Sequence, residues 1–269
     1  MNLAEKTLPR LRSVLDSIHV LVKGLHFDRR KRQHLLAGAL LGRILEEAEG
    51  IYAMLERSDS TCGFILLRSL LEAYVDLLNI ASDPAYAEFM LAAFFDQYQQ
   101  LLEAVLEKGS KNPFLAGIVG ISGSKAADEL ESVRSKIKEL EGRQVKPLKV
   151  RQRFKRADQL RYYEGPYAHL CLQSHNNINV LVSRHLRFTD AGDAGVEIRG
   201  FDLIEDKDAQ LISDTTAGIS ANCVVAVKEL LDGKPVLGLD QLTEALGKLR
   251  ELWPEEEVNS AQPEASTGQ

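Results

Sequence analysis

Between Phe64 and Ile80 the chain reads FILLRSLLEAYVDLLNI, apolar on almost every side of a helix except along one narrow line. At about 100° per residue, Arg68, Glu72, Asp76 and Asn79 fall within roughly 80° of arc. Phe, Ile, Leu, Val, Ala and Tyr fill the rest, with Ser69 at the stripe's edge. Such a helix belongs in an interior. Charges taken there are costly unless paired and hydrogen-bonded. The segment therefore predicts a helical core that contains an arginine and two carboxylates. Arg68 and Glu72 stand four residues apart and can pair along the helix. Two readings stay open: a polar centre in which Glu72 orients Arg68 toward an anion, with Asp76 beside them, or a structural ion pair on a helix face.

The surrounding sequence is helical almost throughout. Leu8, Leu11, Val14, Leu15, Ile18 and Leu21/Val22 repeat with the helical period over 3–23. A second helix is expected over 28–56, with Asp28 as its cap and Leu36, Leu40, Ile44, Ala48, Ile51 and Leu55 on one face. The third is the 62–81 segment. Ser82-Asp83-Pro84 supplies a cap and a first-turn proline for a fourth, to about residue 108. The glycine-rich stretch 109–124 reads as a flexible connection. Helices follow over 126–141, 150–163, 165–187 (begun by Gly165-Pro166), 206–231 and 239–252, with a glycine-rich loop at 189–202 that includes a short extended VEI piece. The expected architecture is all-α: a helical bundle over 1–235 with a long central crossing, an appended C-terminal helix over 236–253, and a disordered acidic tail over 254–269.

Composition narrows the class. A net charge of −6 over 269 residues disfavours a nucleic-acid coat or a polybasic membrane protein. No run reaches the roughly 18 apolar residues of a membrane span, and the charged N-terminus does not resemble a signal peptide, so a cytoplasmic protein without a membrane partner is expected. Cys62, Cys171 and Cys223 are scattered and form no CxxC pair, which suggests neither a zinc ribbon nor a disulfide framework. No HExxH or ExxH pair is present, and the 117–125 glycines do not have phosphate-loop spacing. No metal and no cofactor is expected.

Two further features bear on function. In PYAHLCLQSHNNINVLVSRHL, 166–186, Tyr167, Leu170, Cys171, Ile178, Leu181 and Val182 are expected on an apolar face. Ser174 lies within that face, His175 at its edge and Asn179 one turn beyond; His169 is expected in solvent. A core-facing His175 can do acid–base work near neutral pH, or serve only as hydrogen-bonded packing. Ser174 and His175 are neighbours that point about 100° apart on a helix, a poor nucleophile–base pair. The second feature is 143–161, with eight Lys/Arg against Asp158 alone. Arg151, Arg153, Lys155 and Arg156 could hold RNA or another phosphate-bearing ligand, or form a solvated face.

The pairing of LLRSLLEAYVDLL with the later YAHLCLQSHNN resembles a family of uncharacterised bacterial all-helical proteins. Their R-S-x-x-E-x-x-x-x-L helix is matched by Arg68, Ser69, Glu72 and Leu77. Their Y-x-x-L-S-x-x-x-H element is matched by Tyr167, Leu170 and His175, with Cys171 at the serine. That family is in turn similar to the HEPN superfamily, which includes metal-independent RNases of toxin–antitoxin and anti-phage defence systems that act as dimers. The resemblance implies a helical fold, a possible homodimer, and an RNase site in which His175 is the acid or base, Arg68 stabilises charge and Glu72 orients Arg68. The R-x(4–6)-H motif of those enzymes is not matched at His175, because the positions in question are Leu170, His169 and Ala168. Arg29-x(4)-His34 and Arg12-x(6)-His19 fit the spacing at the other end of the chain. The sequence thus carries three expectations: a buried Arg68–Glu72–His175 centre that binds a ligand, with Asp76, Tyr167, Ser174 and Asn179 around it; an RNase built on the same trio; or an interaction module.

Overall fold

The computed structural model describes residues 3–108, 112, 114–115, 123–174, 177–188, 195–198, 205–231 and 238–252. It is all-α apart from one small hairpin, as the sequence pattern predicts. The helices are α1 (Leu3–Lys23), α2 (Arg32–Glu56), α3 (Ser60–Ser82), α4 (Tyr86–Lys108), α5 (Gly123–Gly142), α6 (Val150–Arg156), α7 (Leu160–Tyr162), α8 (Ala168–Ser174), α9 (Ile178–His185), α10 (Asp206–Leu230) and α11 (Leu239–Arg250). Strands β1 (Leu186–Phe188) and β2 (Val196–Ile198) pair antiparallel, Arg187 opposite Glu197.

One core joins α1, α2, α3, α10 and α11. Leu11, Val14, Leu15, Ile18 and Leu21 of α1 are fully covered, as their spacing requires. α3 packs against α2 on one side and α10 on another, and buries Phe64, Leu67, Leu70, Leu71, Val75 and Leu77. Leu242, Ala245 and Leu249 carry α11 into the same core against α1. α4 and α5 form a hairpin with a small core of their own, Leu102 and Val105 against Ala126, Leu130 and Val133. Only the start of α4, at Tyr86 and Ala87, enters the main core.

Local chemistry sets the boundaries. The Asp59 carboxylate accepts the Cys62 N–H at 2.9 Å and caps α3. Asp28 does not cap α2: its Oδ1 accepts the Arg30 N–H at 3.0 Å in a turn of its own, and the helix opens later, at Arg32. Asp83 likewise closes a turn onto Ala85 N–H at 2.8 Å, and α4 opens at Tyr86.

The expected helix over 165–187 is corrected in two places. Gly165-Pro166 lies within a π-helical turn, Tyr163–Tyr167, that continues into α8. Proline has no N–H to donate to the ladder, and the helix widens where that donor is missing. A new helix then opens at Ile178, capped by Asn177, whose Oδ1 accepts the Asn179 N–H at 3.0 Å. The restart shifts the helical phase, which leaves Ile178 73% exposed and Leu181 40% exposed rather than on a buried face. The last residues expected in that helix form β1. Arg184 ties α9 down, bonding Asp208 Oδ2 of α10 at 3.1 Å and Ser60 and Thr61 hydroxyls of α3 at 3.2 Å. Most of the expected connection over 109–124, and all of the 254–269 tail, lie outside the described residues.

Candidate functional site

The polar stripe of α3 meets the chain between α5 and α8. After Gly142 the backbone turns through Gln144, at φ 61°, and past Pro147 into α6. Phe154 anchors α6 with no exposed surface, packed on the rings of Tyr163 and Tyr167 at centroid distances of 5.6 and 5.1 Å. The widened turn stacks Tyr163 on Tyr167 at 5.5 Å and 18°. This aromatic block directs two polar groups at α3: the Arg153 guanidinium and the Tyr167 hydroxyl.

Arg153 is the counter-ion of both carboxylates. Its Nε and Nη2 grip Asp76 at 2.8 and 2.5 Å, and Nη1 reaches Glu72 Oε2 at 3.2 Å. Its own carbonyl accepts from Nδ2 of the fully buried Asn79 at 3.0 Å, so the last residue of the stripe locks α6 in place. Tyr86 donates to Asp76 Oδ1 at 2.6 Å. Burial works against the Arg153 charge, but the Asp76 carboxylate and its hydrogen bonds outweigh that and raise the pKa above its ordinary value. Burial, followed by the neighbouring Asp76, pushes the Tyr86 phenol well up.

Tyr167 completes the network. Its hydroxyl donates to Glu72 Oε1 at 2.8 Å and accepts from Arg68 Nη2 at 3.2 Å, with the guanidinium 5.5 Å from the ring centroid. Burial, with the Glu72 carboxylate adding to it and Arg68 opposing, pushes its phenol up to about 12. The contacts of Arg68 run through Nη2, to Tyr167 and to Glu72 Oε1 at 3.5 Å, and its Nε is buried without a hydrogen-bond partner among the described residues. The Tyr167 hydrogen bond raises the Arg68 pKa, so its charge is secure. No hydrogen bond of Nη1 is found among the described residues, and Arg68 lines the space in front of it.

That space is a groove of about 830 Å³ between α2, α3, α4 and the chain leading into α6. Its polar side carries Arg43, Arg68, Ser69, Glu72 and Lys149, and Arg153 and Asp76 close one end. Arg43 is braced by Glu47 Oε1 at 3.0 Å and by the Ser69 hydroxyl at 2.9 Å, and Ser69 donates to the same Glu47 oxygen at 2.7 Å. The opposite wall is apolar and belongs to α4: Phe89, Met90, Ala93 and Phe94, with Asp96 and Gln97 beside them.

Of the residues singled out in the sequence, the structure brings together Arg68, Glu72, Asp76 and Tyr167, and adds Arg153 from the basic stretch. His175 lies outside the described residues. Ser174 is half-buried, its hydroxyl without a hydrogen-bond partner among the described residues, and Asn179 is exposed at the start of α9. His169 is exposed but packs edge-on against Phe64 at 5.9 Å. The rest of the basic stretch spreads outward. Arg151 faces Glu164 at 3.5 Å, Arg156 pairs with Asp83 and lies over Phe89, and Lys155 is exposed with no ion-pair partner among the described residues. Arg43, Lys149 and the α4 wall were not legible as site residues, because no spacing links them to the α3 stripe. Tyr86 carried a faint signal, as the aromatic that follows Ser82-Asp83-Pro84.

Among the described residues no His, Cys, Asp and Glu gather in threes at metal-holding distance, and no helix is long and apolar enough to cross a membrane. Comparison with the curated proteins and with the solved structures finds no match. A family model does match: it covers residues 34–193, more than half of the chain and the whole of the α3–α6–α8 network, and on that ground the chain belongs to a family of unknown function (DUF5677).

Proposed function

We propose that this chain is a binding protein for a phosphate-bearing or similar organic anion, held in the groove between α3 and α4. The observation that carries this reading is the state of Arg68. Tyr167 and Glu72 fix its guanidinium through one nitrogen, while Arg153 compensates the carboxylates that would otherwise absorb its charge. An arginine so held can offer its remaining nitrogen, Nη1, without further loss of rotamer freedom. Arg43 and Lys149 line the same space, and its volume suits a small ligand. Thermal melting with a panel of phosphate esters and aryl carboxylates tests the reading. At least one should raise the melting temperature of the wild type and fail to do so for Arg68→Gln. A panel that leaves wild type and variant alike would overturn it.

A second reading, metal-independent RNA cleavage by a defence or toxin protein, draws support from the bond between Tyr167 and the Arg68–Glu72 pair. It needs His175 as acid or base. Growth arrest and RNA breakdown on expression of the wild type, both abolished by His175→Ala, are its expected outcome. Equal and harmless behaviour of the two would remove it.

A further inference from the structure

We infer that the occupant of the groove is a nucleoside monophosphate whose base carries an amino group, with the phosphate on Arg68 and Arg43 and the base on Phe94. This rests on the anion reading above and specifies the other end of the ligand. Phe94 is 53% exposed and lines the groove, unusual for so large an apolar side chain unless something covers it. Its ring is stacked on Tyr98, at 5.4 Å and 19°, and tilted against Phe95, at 5.3 Å and 59°; these contacts hold the ring in place while 53% of the residue stays exposed. A held aromatic ring lining the same groove as two guanidinium groups is an arrangement that can grip a flat ring attached to an anion.

The α4 wall also says what the flat ring carries. Asp96 and Gln97 line the same groove; Gln97, three residues on, shares a helix face with Phe94, whereas Asp96, two residues on, does not face its ring. Gln100 donates to Asp96 Oδ2 at 3.1 Å, and no hydrogen-bond partner of Oδ1 is found among the described residues. A carboxylate offers acceptors only, and an amide offers one acceptor and two donors. The Gln97 amide by itself suits a ring edge with an amino donor and a ring-nitrogen acceptor. Asp96 would repel a bare anion lodged beside it, and an aliphatic phosphate ester would leave the Phe94 ring and the Gln97 amide without partners. A ligand negative at one end and hydrogen-bond donating at the other satisfies both sides.

Calorimetric titration of the full chain with AMP, adenosine, glycerol phosphate and a short oligoadenylate tests the inference. AMP should bind, adenosine and glycerol phosphate at least tenfold more weakly, and Phe94→Leu should weaken AMP about tenfold, the loss of one base–aromatic stack. Phe94 is exposed, so an unchanged melting temperature will show that the variant folds. An oligoadenylate that binds more tightly than AMP, with the same dependence on Phe94, identifies an RNA end as the source of the nucleotide; weaker binding identifies the free nucleotide. Glycerol phosphate equal to AMP, with Phe94→Leu neutral and Arg68→Gln still damaging, overturns the nucleotide but leaves the anion reading. No binding of any phosphate overturns both.

Discussion

Arg153 contributes more to the interior than its place among eight basic residues suggests. It neutralises two carboxylates on a neighbouring helix, and each of the three side chains is less than a third exposed. Removing one partner of a buried pair leaves the others uncompensated, at a cost of about 3–5 kcal/mol. Arg153→Met should therefore lose stability on that scale in urea melts, while Lys155→Met, two residues away and exposed, should change it by less than about 0.5 kcal/mol. Equal losses would contradict the assignment. Tyr167→Phe keeps the ring and removes the hydroxyl between Arg68 and Glu72. A loss of about 1–2 kcal/mol is expected, because Arg68 and Glu72 each lose a hydrogen-bond partner; no loss would contradict the bridging role. At this scale the sequence was legible where one helix wheel gathers the residues, as with Arg68, Glu72, Asp76 and Asn79. Their partner was not legible. Arg153 shares its composition with Arg151 and Lys155, and only the tertiary direction of α6, set by Phe154, turns it inward.

Among the elements, α1 and α3 follow their sequence signals closely, because long periodic faces on buried helices dominate any local competition. The weak points lie where short polar turns or proline compete with the helix. Asp28 and Asp83 satisfy turns of their own and so shorten the helices after them. Pro166 widens a helix instead of beginning one. Asn177 starts α9 and resets its phase. Loss of that cap in Asn177→Ala should cost about 1 kcal/mol and raise amide exchange in α9 and β1 while α3 keeps its protection. Uniform exchange changes across the chain would contradict a local role. α4 illustrates the opposite difficulty. Its apolar residues read as ordinary core, yet only its first turn enters the main core, and Phe94 is left to line the groove.

For the molecule as a whole, the network makes folding sensitive to alkali. Burial raises the phenols of Tyr74 and Tyr167 to about 12, and raises Tyr86 further, above the ordinary value of 10.0. The unfolded chain releases these protons first, so their contribution is complete below pH of about 10 and lost as pH climbs through about 12. Urea melts should show stability falling over that window, with phenolate absorbance of the folded chain lagging that of the unfolded chain. A single step near 10 for all seven tyrosines would contradict it. In the proposed binding protein Arg68 is the open cation of the groove and Arg153 the internal counter-ion. Side-chain NMR of ¹⁵N-arginine-labelled protein titrated with AMP tests it most directly, with Arg68 and Arg153 assigned from the spectra of Arg68→Lys and Arg153→Lys. The Arg68 resonance should move on binding while that of Arg153 stays in place. Movement of Arg153 with Arg68 unchanged would contradict it.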